Sequence, residues 1–105
     1  MKEVTAKNYV LKNENGVWLG QVVLTSDGMF ASVTDYGNFS FNWNSIGPLT
    51  FEEFILSLNV DYFASKMYQG FAYVLANKKV ETATKRFAQI ILPTLQAELK
   101  KELNI

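Results

Sequence analysis

Val17-Trp18-Leu19-Gly20-Gln21-Val22-Val23-Leu24-Thr25-Ser26-Asp27-Gly28-Met29-Phe30-Ala31-Ser32-Val33-Thr34 reads as two strands around a turn. β-branched and apolar residues run on either side of Asp27-Gly28, a dipeptide that two-residue hairpin loops favour because both central residues then need positive φ. A loop of that length sets Ser26 opposite Met29, Leu24 opposite Ala31 and Val22 opposite Val33. The expected apolar face is Trp18, Val22, Leu24, Met29, Ala31 and Val33.

Asn15-Gly16 and Gly37-Asn38 mark two further turns. They divide the first half into strands at about 3–11, 17–25, 29–34 and 39–44. Connections this short make neighbours antiparallel, which gives a four-stranded β-meander. The fourth strand alternates Phe39, Phe41 and Trp43 with Ser40, Asn42 and Asn44. A two-residue third loop would set those aromatics beside Phe30 and Tyr36. A three-residue loop, Tyr36-Gly37-Asn38, sets them with Ala31 and Val33, and is expected because it makes one core face and one polar face.

After Gly47-Pro48 the apolar period changes from two to helical. Thr50 and Glu53 form the pattern of a capping box, with Leu49 placed to staple onto Phe54, and a short helix follows at 51–58. A second helix starts at Asn59 or Asp61 and runs to about 76, with Val60, Phe63, Met67, Phe71 and Val74 on one stripe. Asn77 suits a left-handed residue just past its end. A third helix spans about 81–103 with the stripe Ala83, Phe87, Ile91, Leu95, Leu99 and Leu103. Pro93 predicts a kink within it, since the stripe stays in phase across the proline. The expected architecture is a single α+β domain over 1–105, a four-stranded antiparallel β-meander packed against three C-terminal α-helices.

Composition narrows the chemistry. Of 105 residues, 49% are hydrophobic and 19% charged, as in ordinary globular chains. There is no cysteine and no histidine, which removes disulfides, thiolate zinc sites and histidine acid–base catalysis. Ten basic and ten acidic residues balance, which counts against nucleic-acid binding, since phosphate neutralisation needs a basic excess. Met1 to Lys7 contains no apolar signal region, and the longest apolar run, 87–92, falls far short of a membrane span. A cytoplasmic location is the expectation.

Most carboxylates have a structural explanation. Glu52 and Glu53 lie in a first helical turn, Asp27 and Asp35 at turns, Asp61 at a helix start, and Glu81 four residues before Lys85. No calcium loop, Walker motif or dinucleotide motif is present. The expectation is a non-enzymatic protein with no catalytic residue, metal or cofactor. A deep pocket holding two carboxylates would reverse it.

Two groups of side chains suggest binding. Lys78, Lys79, Lys85 and Arg86, with Tyr68 and Tyr73 nearby, form a candidate partner-binding patch for an acidic protein surface or phosphate. The structural alternative is that Lys78 and Lys79 sit at the second helix's C-terminus, where the dipole favours cations. Tyr36, Phe39 and Trp43 form a candidate platform for stacking single-stranded nucleic acid. Against it stands a role for these aromatics in the core, and the nearest cations, Lys12 and Lys66, are remote in sequence. A meander also leaves edge strands that a second copy could cover, so a homodimer is a further expectation.

The run from Trp18 through Asp27-Gly28-Met29-Phe30 to Asp35-Tyr36-Gly37-Asn38-Phe39, followed by Phe51, Phe54, Asp61-Tyr62-Phe63 and Lys66-Met67, resembles a family of small bacteriophage and prophage proteins. The resemblance covers about 18–67. It implies a mobile-element product in a bacterial host cell. By analogy with small phage proteins lacking catalytic groups, it also implies binding to a host complex, with anti-CRISPR-like inhibition of host defence among the possibilities.

Overall fold

The computed structural model describes residues 3–75 and 77–105, with side chains described outside 71–75. In chain order it has β1 (Ala6–Lys12), β2 (Trp18–Thr25), β3 (Met29–Thr34), β4 (Ser40–Asn42), α1 (Phe51–Leu56), α2 (Val60–Leu75) and α3 (Lys78–Leu103). The strands form one antiparallel sheet in the order β1-β2-β3-β4, and the helices cover one face. This is the expected α+β arrangement.

The register of the central hairpin differs from the expected one by a residue. Leu24 pairs with Phe30 and Val22 with Ser32, so three residues, Ser26-Asp27-Gly28, form the loop. Asp27 keeps negative φ while Gly28 alone is left-handed, at φ +100°. That combination suits a turn over Thr25–Gly28 closing on a left-handed glycine. The Gly28 N–H donates to the Thr25 carbonyl at 3.2 Å. The Thr25 hydroxyl donates to the Asp27 carboxylate and accepts from the Met29 N–H. A one-residue slip turns every side chain over. Phe30 and Ser32 therefore enter the core, while Met29, Val33 and Trp18 are exposed, at 40%, 59% and 38%. Only Val22 and Leu24 of the expected face are buried.

The third hairpin departs from expectation too. The chain turns over Thr34–Gly37, with the Thr34 hydroxyl donating to the Gly37 carbonyl at 2.6 Å and Asn38 Oδ1 accepting from the Thr34 N–H at 3.1 Å. Phe30 pairs with Phe41, and the Ser32 N–H donates to the Phe39 carbonyl. The aromatics thus share Phe30's face, the parity of the two-residue alternative. The two slips cancel. Phe39 and Trp43 are buried and Phe41 is half-buried against the core, under the helices.

The core centres on three rings. Phe30 meets Phe63 of α2 edge-on at 5.2 Å and Phe87 of α3 at 6.4 Å, and Phe63 stacks on Phe87 at 6.2 Å. Around them pack Leu11, Ile55, Met67, Ile91, Leu92, Leu95 and Leu99, all fully buried.

Each helix has an identifiable start. Thr50 and Glu53 complete the capping box of α1, while Leu49 is exposed at 40%. Asn59 caps α2, its Oδ1 accepting from the Tyr62 N–H at 2.8 Å. Asn77 is extended, not left-handed, and caps α3 by accepting from the Val80 N–H at 3.0 Å. Helix α3 therefore begins three residues earlier than expected and runs unbroken through Pro93 on its exposed side.

The α3 stripe is buried from Phe87 to Leu99 but not at Ala83 or Leu103. Steps of four residues over-rotate by about 40° each, so the ends of the stripe leave the core. Thr84 is buried in place of Ala83, its hydroxyl bonded to the Val80 carbonyl at 2.7 Å. Of the expected α2 stripe, Phe63 and Met67 are buried and Val60 half-buried. Phe71 and Val74 lie outside the described side chains.

Candidate functional site: the groove between α2 and α3

Polar residues three and four apart on α2 share one face: Asp61, Ser65 and Tyr68. Across from them α3 presents Glu81, Thr84 and Lys85. The two helices enclose an open groove of about 550 Å³ lined by these six and Ala64. Lys85 Nζ lies 3.5 Å from Glu81 Oε1, one helical turn away.

Of the six expected partner-binding residues, the structure brings Tyr68 and Lys85 together in this groove. Arg86 turns towards the sheet, with its guanidinium 5.5 Å from the centre of the Tyr36 ring. Tyr73 lies outside the described side chains. Lys78 and Lys79 are exposed in the first turn of α3, a correction to the structural explanation of their charge. They stand at the positive end of that helix's dipole, where cations are disfavoured. Among the described residues neither makes an ion pair.

The nucleic-acid platform does not assemble. Phe39 and Trp43 are core residues, and the Trp43 indole N–H donates to the Tyr62 hydroxyl at 3.2 Å. Tyr36 is half-buried beneath Arg86. Lys66, distant in sequence, does reach the aromatic strand. Its ammonium lies 5.7 Å from the Phe41 ring centre and 5.5 Å from that of Tyr62. This contact packs α2 against β4, while burial in the core leaves no stacking surface on Phe39 or Trp43.

Asp61, Ser65, Thr84 and Glu81 were not read as groove residues in the sequence, although the i, i+4, i+7 spacing of Asp61, Ser65 and Tyr68 was available as a signal. Asp61 and Glu81 do share this groove. It is open, Asp61 is exposed, and Glu81 is paired with Lys85. Among the described residues no group of three or more acids could hold a metal ion. No described helix is long and apolar enough to cross a membrane.

A family model described as a phage family, Phage_phiTE_072, matches residues 1–86. The chain belongs to that phage protein family. It has no significant match among curated proteins or solved structures.

Proposed function

We propose that this phage protein acts without catalysis by binding a host macromolecular complex, as an inhibitor of bacterial defence of the anti-CRISPR kind. It works in the host cytoplasm through the α2–α3 face. The observation that carries the reading is the placement of Lys78 and Lys79, two exposed cations at a helix end that disfavours them. A charge kept where it lowers stability calls for a role outside the fold. Beside them, half-buried Tyr68 and exposed Lys85 line an open groove, and tyrosine with cations suits an acidic protein surface. Asp61 and Glu81 lack the contrasting burial that sets a general acid apart from a base.

The test is plaque formation by a phage targeted by CRISPR–Cas immunity, in cells producing the protein or its K78E/K79E/K85E/R86E variant. The wild-type chain should restore plaques and co-purify with the interference complex, and the variant should do neither while remaining folded. Equal protection by both proteins, or none by either, would remove the proposal.

A further inference from the structure

The helices cover only one face of the sheet. On the other, Val10, Gln21 and Val33 form one cross-strand row and Asn8, Val23, Ala31 and Ser40 the next. Met29 and Asn42 follow. None of these nine residues is charged, whereas the helical face and the loops carry charges throughout. Exposed sheet faces usually carry polar and charged residues on alternate positions. Here Val10 and Val33 are about half exposed or more.

We infer that this face is the interface of a symmetric dimer, in which two sheets pack face to face. Three observations choose a second copy as the occupant. In a two-fold interface each patch meets itself, so any charge near the axis would face its own kind. The two central rows have none. Gln21, at the middle of the first row, has an amide that both donates and accepts, so two copies can pair with each other. The surface also supplies its own knob and hollow. Gln21, Val23, Ala31 and Val33 line a shallow depression of about 320 Å³, which leaves room for apolar side chains such as Val33 of the other copy.

A stable interface takes about 800 Å² from each partner, about an eighth of the chain's 6749 Å², so it would take in the flanking loops as well as these nine residues. The two layers make a slab with extents of 38 × 36 × 21 Å, and the free sheet face is on one of its broad sides. Two such faces packed about 10 Å apart form a four-layer helix–sheet–sheet–helix dimer. The α2–α3 groove then lies outermost on both copies.

Sedimentation velocity of the wild-type chain, V33E and V23E tests this directly. The wild type should sediment as a dimer of the 11.9 kDa chain at micromolar concentration, and both variants as folded monomers with unchanged circular dichroism. Because the chain has no cysteine, Q21C, at the position that meets its own copy, offers a second readout. It should form a covalent dimer under mild oxidation, since the two Cα atoms would lie within disulfide reach. A wild-type monomer at about 100 µM, a dimer that persists in both charge variants, or a Q21C chain that fails to cross-link would overturn the inference.

Discussion

Gly70 of α2 lies so close to Ser40 of β4 that a Cβ on the glycine would stand 2.5 Å from the Ser40 carbonyl oxygen. The helix backbone rests on the edge strand at this point with no side chain between them. In an exposed helix interior, alanine is favoured over glycine by about 1 kcal/mol. Gly70→Ala should instead lower the thermal midpoint, because a backbone oxygen cannot move aside as a side chain would. Calorimetry showing a raised midpoint would mean that the contact is loose.

Gly28→Ala should be disruptive for two reasons that act together. The residue is left-handed at φ +100°, and its Cβ would lie 2.3 Å from the Trp43 carbonyl oxygen. Since Gly28 also holds the three-residue loop, the variant should lose the shielded indole environment of Trp43 along with stability. Intrinsic fluorescence and urea titration would report both, and an unchanged emission maximum would contradict this account.

The far ends of the sequence meet at Glu102. Its carboxylate accepts from the Lys7 ammonium at 2.6 Å and from the Tyr9 hydroxyl at 2.5 Å. These bonds hold Glu102 below the usual carboxylate range, the Lys7 bond being the larger cause. The same bond raises Lys7, and Tyr9 is raised chiefly by burial and then by Glu102. A depressed carboxylate stabilises the fold above its unfolded pKa, and that contribution is lost as pH falls through the folded value. Raised lysine and tyrosine groups stabilise below their unfolded values, and theirs is lost as pH rises above about 10. The clip is partly exposed, so Glu102→Gln should cost about 1 kcal/mol or less near neutrality. It should also flatten stability at both pH extremes. Denaturation midpoints between pH 3 and 11 would show it, and parallel curves for the two proteins would refute it.

Phe30→Ala removes the ring that joins β3 to both long helices and should cost about 3–5 kcal/mol. By contrast, K78E/K79E should raise stability, by about 0.3–1 kcal/mol per residue, through the α3 dipole. A gain in stability with a loss of host-complex binding would separate the two roles of that turn. A loss of stability would show that the lysines serve the fold.

Strand number, helix number and the capping box were legible because glycine turns, apolar period and Thr50-x-x-Glu53 are local signals. Register was not, because Asp27-Gly28 serves a two-residue and a three-residue loop equally well. The choice was made by the Thr25 hydroxyl, four residues before Met29. Phe39 and Trp43 are buried as expected all the same, because the third hairpin differs from the expected register by the same parity as the second. Asn77 fits the end of one helix and the start of another, and which role it took decided where Lys78 and Lys79 stand. The groove was invisible for another reason: Tyr68 and Lys85 meet only through the packing of α2 on α3.

Gln96 of α3 donates its side-chain amide to the carbonyls of Ile55, at 3.0 Å, and Leu58, at 2.9 Å, closing the end of a helix only six residues long. Such a helix does not persist alone.

The matched family region stops at residue 86, ten positions before that amide and one before Phe87. Beyond the boundary lie five large, fully buried side chains, Phe87, Ile91, Leu92, Leu95 and Leu99, with the small Ala88 buried beside them. At about 1.5–3 kcal/mol each, they match the whole stability of a typical domain. A chain cut after Arg86 would keep the family signature and lose the means to fold. The stretch that matches the family and the stretch that closes the core therefore end at different places.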